Sequence, residues 1–348
     1  MKNRDLILMI AAIILFAAVI CFVVYIIFFN DRGDSGNFSG QATSTAKESP
    51  YKSRLTGLSV EKEEYVSPKI IGIMIDNNPE AYPQSGLNEA AVVYEAPVEG
   101  GISRFLAIYP EYANVEKVGP VRSARPYYID WIQEYGTALY MHCGGSQEGL
   151  TEIKVRGIFD ANEFFRGSYY WRENLRSAPY NLYTSSEKWQ KYFIDYGEAQ
   201  EYPDWQMWNF GEISTATDTE NISSFDIEYI KRFAVGWQYI SASGTYQRKL
   251  NGETFLDDKN VPISASNIIV QFASVRVIDE IGRRKITSVG EGEARLFRDG
   301  LMFRGVWKKE TESGRTRFYT REGKEMVLTP GRTWIMVVPE KSVLNVSN

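Results

Sequence analysis

Apolar positions first run unbroken and later alternate. From Leu6 to Phe29 there are 24 residues without a charge, mainly Ile, Leu, Val, Phe and Ala. A helix rising ~1.5 Å per residue makes this roughly 36 Å, enough to cross a hydrocarbon core of about 30 Å with some tilt. A cleaved secretory signal has an apolar region of only about 7 to 15 residues and a small-residue cleavage site. Tyr25 to Phe29 offers no such site, so the run predicts an uncleaved anchor in the cytoplasmic membrane. Lys2 and Arg4 precede it, whereas residues 30–46 carry only Arg32 against two aspartates. That asymmetry places the N terminus inside and the bulk of the chain outside. Ile20 occupies the position before Cys21, where lipid processing wants a small residue, so Cys21 reads as an apolar membrane cysteine.

Residues 30–50 are rich in Gly, Ser and Thr and read as a flexible tether spanning about 25 Å as a random coil. Folded patterning starts near Pro68, giving an organisation of anchor at 1–29, linker at 30–66, α/β domain at 67–210 and all-β domain at 225–340. In the first domain, Lys69 to Asp76, Ala91 to Glu95, Ile102 to Tyr109 and Thr137 to Cys143 read as strands. Glu99-Gly100-Gly101 reads as the site of a hairpin turn; folding it about residues 98–101 would set Glu95 opposite Arg104. Pro126 to Tyr135 and Gln147 to Val155 read as helices, and Thr184 with Glu187 as a capping box before another. Glu201 to Ser224, polar with Pro203, reads as the junction. Beyond it come short aromatic and β-branched strands at 233–240, 245–250, 267–272, 294–298, 301–307, 315–319 and 334–338, divided by turn pairs such as Asn251-Gly252 and Asp299-Gly300.

Composition narrows the classes. A net charge of -5 and a pI near 5.3 argue against nucleic acid as a partner. Arg283-Arg284-Lys285 reads as a solvated hairpin tip. One ectodomain cysteine, Cys143, gives no disulfide framework, and with the single histidine, His142, it cannot build a zinc site, so no metal or cofactor is expected. His142 and Cys143 are neighbours on a strand and point to opposite faces, against a nucleophile–base dyad.

If the strand at 69–76 runs parallel to that at 137–143, the scattered polar residues converge on one carboxyl edge, where open α/β sheets bind ligands. The loop Gly119 to Arg125 then lies beside His142 to Ser146, with Asp76 and Asn77 at the first strand's end. Two helix N-termini, one flanked by Arg122, Ser123 and Arg125 and the other opened by Gly144-Gly145-Ser146, would offer positive potential to a phosphate or carboxylate. The competing reading has these arginines paired with Glu95, Glu99, Asp130 or Asp76. Glu95 and Glu99 are the carboxylates that could run glycoside hydrolysis. Tyr169-Tyr170-Trp171 and the aromatic residues of 205–210 read as core rather than sugar platforms.

Pro83-Gln84-Ser85-Gly86-Leu87, Val98 to Leu106 and Gly119 to Pro126 resemble the YerB-like family, a group of bacterial envelope proteins of unknown function, many of them lipoproteins. Ala178-Pro179, Asn181-Leu182-Tyr183, Asp257, Asn267 to Val270, Gly290 with Gly292, Asp299-Gly300, Gly331 and Thr333-Trp334 extend the resemblance over residues 65–339. It implies a two-part ectodomain at the outer face of the membrane without an established reaction. The chain departs from the family in carrying an apolar anchor instead of a lipidated cysteine, and Tyr180 where the family's Pro-His-Asn places histidine. The leading expectation is an envelope protein binding an anionic or peptidoglycan-like ligand through Asp76, Asn77, Arg104, Arg122, Ser123, Arg125, His142, Gly144, Gly145 and Ser146. The alternatives are a carboxylate-dependent cell-wall hydrolase using Glu95 or Glu99, and a scaffold docking an envelope protein partner.

Overall fold

The computed structural model describes residues 49–197, 205–212, 219–230 and 234–348. The expected anchor at 6–29 and the tether to residue 48 lie outside them. Among the described residues no helix is long and apolar enough to cross a membrane. Residues 49–66, expected as the end of a linker, are folded. Leu55 is buried, the Arg54 guanidinium donates to the Trp205 carbonyl at 2.5 Å and the Gly331 N–H donates to the Thr56 carbonyl at 2.8 Å. Polar composition concealed the few anchor points that hold this segment down.

The strands are β1 (Ile70–Asp76), β2 (Val92–Pro97), β3 (Ser103–Pro110), β4 (Leu139–His142), β5 (Asp160–Asn162), β6 (Ser224–Glu228), β7 (Val235–Ile240), β8 (Thr245–Leu250), β9 (Asn267–Ala273), β10 (Val275–Val277), β11 (Arg284–Ile286), β12 (Gly290–Arg298), β13 (Leu301–Lys309), β14 (Arg317–Thr320), β15 (Thr333–Pro339) and β16 (Val343–Ser347). The main helices are α1 (Pro126–Ile132), α2 (Gln147–Val155) and α3 (Ser186–Tyr196). A mixed α/β N-terminal part is thus followed by a largely β C-terminal part. The two parts share one 11-stranded sheet, ordered β14-β13-β12-β9-β15-β2-β3-β1-β4-β5, with Thr219–Asn221 beside β13. The join is β2 against β15, parallel, with Val92 opposite Thr333 and Glu95 opposite Met336. A six-stranded sheet containing β8, β7, β6 and β16 lies outside that path.

Both faces of the long sheet are buried, which is why its central strands read as continuous apolar runs. On β1, Ile71, Ile73 and Ile75 face one core with Trp237 and Trp334, while Ile70 and Met74 face the other with Trp131 and Trp307. Tyr169, Tyr170, Trp205 and Trp208 are core residues. The stretch expected as a polar junction contributes Asn209–Phe210, paired with Val327–Leu328, and Thr219–Asn221, paired with β13. The cap of α3 is Ser185, whose hydroxyl accepts from the Lys188 N–H, not Thr184; the Thr184 hydroxyl donates to the Tyr169 carbonyl.

Each face also holds a buried charge cluster joining the two parts. On one, Glu95 pairs with Arg248 at 2.8 Å, both side chains 0% exposed. On the other, Glu134 accepts from Lys309 Nζ at 2.7 Å, Thr316 Oγ1 at 2.5 Å and Tyr94 at 3.1 Å, and lies 3.3 Å from Arg315. Burial pushes the Glu134 carboxyl up, but Lys309 and Arg315 outweigh it and hold it below the usual carboxylate range. A carboxyl depressed on folding adds stability above its unfolded value, near 4.3, and that contribution is lost as pH falls through the folded value. Urea unfolding should therefore show stability falling as pH drops below about 4.3, with a shallower fall in Glu134→Gln.

Candidate functional site

The hairpin of β2 and β3 turns through Glu99–Gly101, where Gly100 and Gly101 hold φ of 72° and 70°. The loop is one residue longer than expected, closed by the Val98 N–H to the Ile102 carbonyl. Glu95 consequently faces Phe105, and Arg104 faces Ala96. A one-residue slip moves side chains to the opposite face, so the expected Glu95–Arg104 pair does not form. Across β1, Arg104 lies opposite Asp76 instead.

Strands β1 and β4 are parallel. Because β3 is antiparallel to both β1 and β2, β1, β2 and β4 present their carboxyl ends at one edge. The loop Gly119 to Arg125 threads along it. Gly119 holds φ of 149°, and a Cβ there would lie 2.7 Å from the Leu182 carbonyl oxygen, so only glycine fits this close approach. The Arg122 N–H donates to the Met74 carbonyl, the Cys143 N–H to the Arg122 carbonyl and the Ala124 N–H to the Gly144 carbonyl. Helix α1 starts at Pro126, and α2 is capped by Ser146, which accepts from the Gly149 N–H.

A cavity of about 450 Å³ opens here, lined by Asn78, Glu99, Gly100, Ile102, Arg104, Arg122, Ser123, Arg125, Gly145, Ser146, Ile281 and Arg283. Four guanidinium groups meet one carboxylate. Arg125 is fully engaged: it grips Glu99 through Nε and Nη2, each at 2.8 Å, and donates through Nη1 to the Ala124 carbonyl. Burial pushes the Glu99 carboxyl up, but the Arg125 bonds and charge more than offset this and hold it low. Arg122 donates through Nε to Asp76 Oδ2 at 2.8 Å and lies over the Tyr180 ring at 5.9 Å. Arg283 pairs with Asp279. Arg104 differs: it is 4% exposed, donates through Nη1 to the Ser123 carbonyl at 2.9 Å, and its buried Nε has no partner. Among the described residues no carboxylate lies within 4 Å of it. Burial, then the charge of Arg125, lowers its pKa.

Several expected residues do other work. His142 is fully buried, held between the Gly144 carbonyl and Asp160 and stacked on Tyr140, and does not line the cavity. Asp76 and Asn77 are buried beneath the rim; Asn77 bonds Ser103 and Gln84, and Asn78 takes the lining position. Gly144 lies behind Gly145, its N–H donating to Asn162. Glu95 is enclosed by Arg248, Ser103, Tyr229 and Trp334, with no room for substrate. The Cys143 thiol is pushed up to about 11 by burial and then by Glu163, which keeps it protonated. Arg283-Arg284-Lys285 does lie on a hairpin, Arg283 at the end of its turn and Arg284 and Lys285 on β11. Asn78, Gly100, Ile102, Ile281 and Arg283 are the lining residues that sequence reading missed, the last two because a basic run beside a turn carries no sign of which surface it overhangs.

This architecture, two parts closed over one sheet with an arginine-lined edge cavity, defines a class by its parts. Residues 55–198 match the N-terminal domain, and residues 225–335 the C-terminal domain, of a family described as Protein of unknown function (DUF3048). The chain belongs to this two-part, YerB-like family. The Bacillus subtilis (strain 168) protein named "Putative lipoprotein YerB" is 29% identical over 332 residues, which are 94% of this chain and 96% of that protein. The crystal structure of YerB protein from Bacillus subtilis matches with a TM-score of 0.73 and 29% identity, covering 84% of this chain and 99% of that one.

Proposed function

We propose that this is an envelope-associated protein whose edge cavity binds an anionic group, a phosphate or carboxylate, of a cell-wall ligand. The observation that carries the reading is Arg104: a buried guanidinium lining a cavity, with no ion pair of its own among the described residues, since Asp76, whose charge attracts it, is bonded to Arg122. Leaving such a group unpaired is costly, and an anion in the cavity offsets its charge. Arg122, tied to Asp76 through Nε alone, and Arg283 add positive charge around the same space. The envelope assignment rests on the relative's name and on the apolar run at 6–29, which we read as the anchor. Hydrolysis by Glu95 or Glu99 is disfavoured, because one is sealed in the core and the other is held ionised by Arg125. Isothermal titration of inorganic phosphate into the 49–348 unit should give saturable binding that weakens on raising NaCl, as exposed charge attraction does. Heat signals indistinguishable from dilution would contradict the reading.

A further inference from the structure

Strands β10 and β11 form an antiparallel hairpin with Val277 opposite Arg284, closed by the Ile278 N–H to the Arg283 carbonyl. It exposes apolar side chains on and beside its turn: Ile281 is 75% exposed, Val277 55% and Ile278 46%. The same turn lends Ile281 and Arg283 to the cavity wall, and Arg284 Nε reaches the Val98 carbonyl at 3.4 Å, tying the hairpin's base to the β2–β3 loop. Arg276, Arg283, Arg284 and Lys285 outnumber Asp279 and Glu280 along it, in a chain whose net charge is -5. Asp279 is engaged by Arg283.

We propose that the anion received by the cavity is the phosphate headgroup of a membrane lipid, and that the hairpin tip enters the bilayer interface beside it. This rests on the anion-binding reading above. A soluble anion gives no reason for three exposed apolar side chains on the hairpin whose Ile281 lines the cavity, whereas apolar residues flanked by Lys and Arg are the composition of segments that lie in an anionic membrane interface. Guanidinium groups suit phosphate because they donate in a planar fork. The apolar run at 6–29, which we read as the anchor, would keep the folded unit near a membrane surface.

The test uses the 49–348 unit, a compact body free of the apolar run. Sedimentation with phosphatidylglycerol and with phosphatidylcholine vesicles is measured for the parent, a Val277→Ser, Ile278→Ser double variant and Arg104→Met, beside titration of inorganic phosphate. The parent should sediment with phosphatidylglycerol and not with phosphatidylcholine. The hairpin variant, altered only at exposed positions outside the cavity wall, should lose about tenfold in partitioning while keeping its affinity for phosphate, and Arg104→Met should lose both. Equal sedimentation of either variant and the parent overturns the proposal, as does equal sedimentation of the parent with both lipids. Phosphate binding by a parent that ignores all vesicles overturns the lipid proposal alone. A parent that binds no phosphate overturns the anion site beneath it as well.

Discussion

Glu95→Leu should lower the unfolding free energy by about 3–5 kcal/mol, read as a shift in the urea midpoint with an unchanged slope. The substitution leaves Arg248, 0% exposed, without its one carboxylate, and strips an acceptor from Tyr229, Ser103 and Trp334. Arg248 already has two buried nitrogens without partners, Nε and Nη1, and only the faces of Phe255, Phe105 and Trp334 would remain against its charge. Pairing the change with Arg248→Met should recover a large share of the loss, because an apolar replacement of a whole buried ion pair is close to neutral. A hydrolytic Glu95 predicts the reverse pattern, lost activity with little lost stability.

Arg104→Met should weaken phosphate binding by about thirtyfold or more, roughly 2 kcal/mol, while changing stability by about 1.5 kcal/mol or less, the low end of the worth of a hydrogen bond from a charged donor, here to the Ser123 carbonyl, because the cost of burying the charge is removed with it. The asymmetry follows from its surroundings. Arg125, locked to Glu99, and Arg122, tied to Asp76, hold the loop in place and would cost stability on removal. Arg104 has no ion pair of its own, only the longer-range attraction of Asp76, so a ligand's charge compensates it where the protein does so least. The Arg122 and Arg125 pairing expected as the structural alternative therefore does form, and the anion-binding reading passes to Arg104.

How far the sequence could be read depended on the distance over which partners act. Lys69 to Asp76, Ile102 to Tyr109 and Thr245 to Leu250 were legible because an apolar or alternating run ends at Gly, Pro or Asn. The convergence of 119–125 with 142–146 followed from one topological premise, that β1 and β4 are parallel. Glu95 could not be placed, since its partner Arg248 lies 153 residues away on a strand whose pattern records a half-buried face but not what crosses it. Nor could the division into two parts reveal that β2 and β15 pair and make one sheet of them. The Glu95–Arg104 expectation failed on a single residue of loop length, which no propensity fixes at a Gly-Gly turn. His142 looked functional because it is the only histidine, yet its imidazole is fully buried, held between the Gly144 carbonyl and Asp160, away from the cavity.

The most direct measurement is a side-by-side phosphate titration of the 49–348 unit and its Arg104→Met variant, with the melting temperature of each recorded. Saturable binding by the parent, at least about thirtyfold weaker in a variant that melts within a few degrees of it, is the predicted result. Equal binding by the two proteins, or none by the parent, would contradict the account.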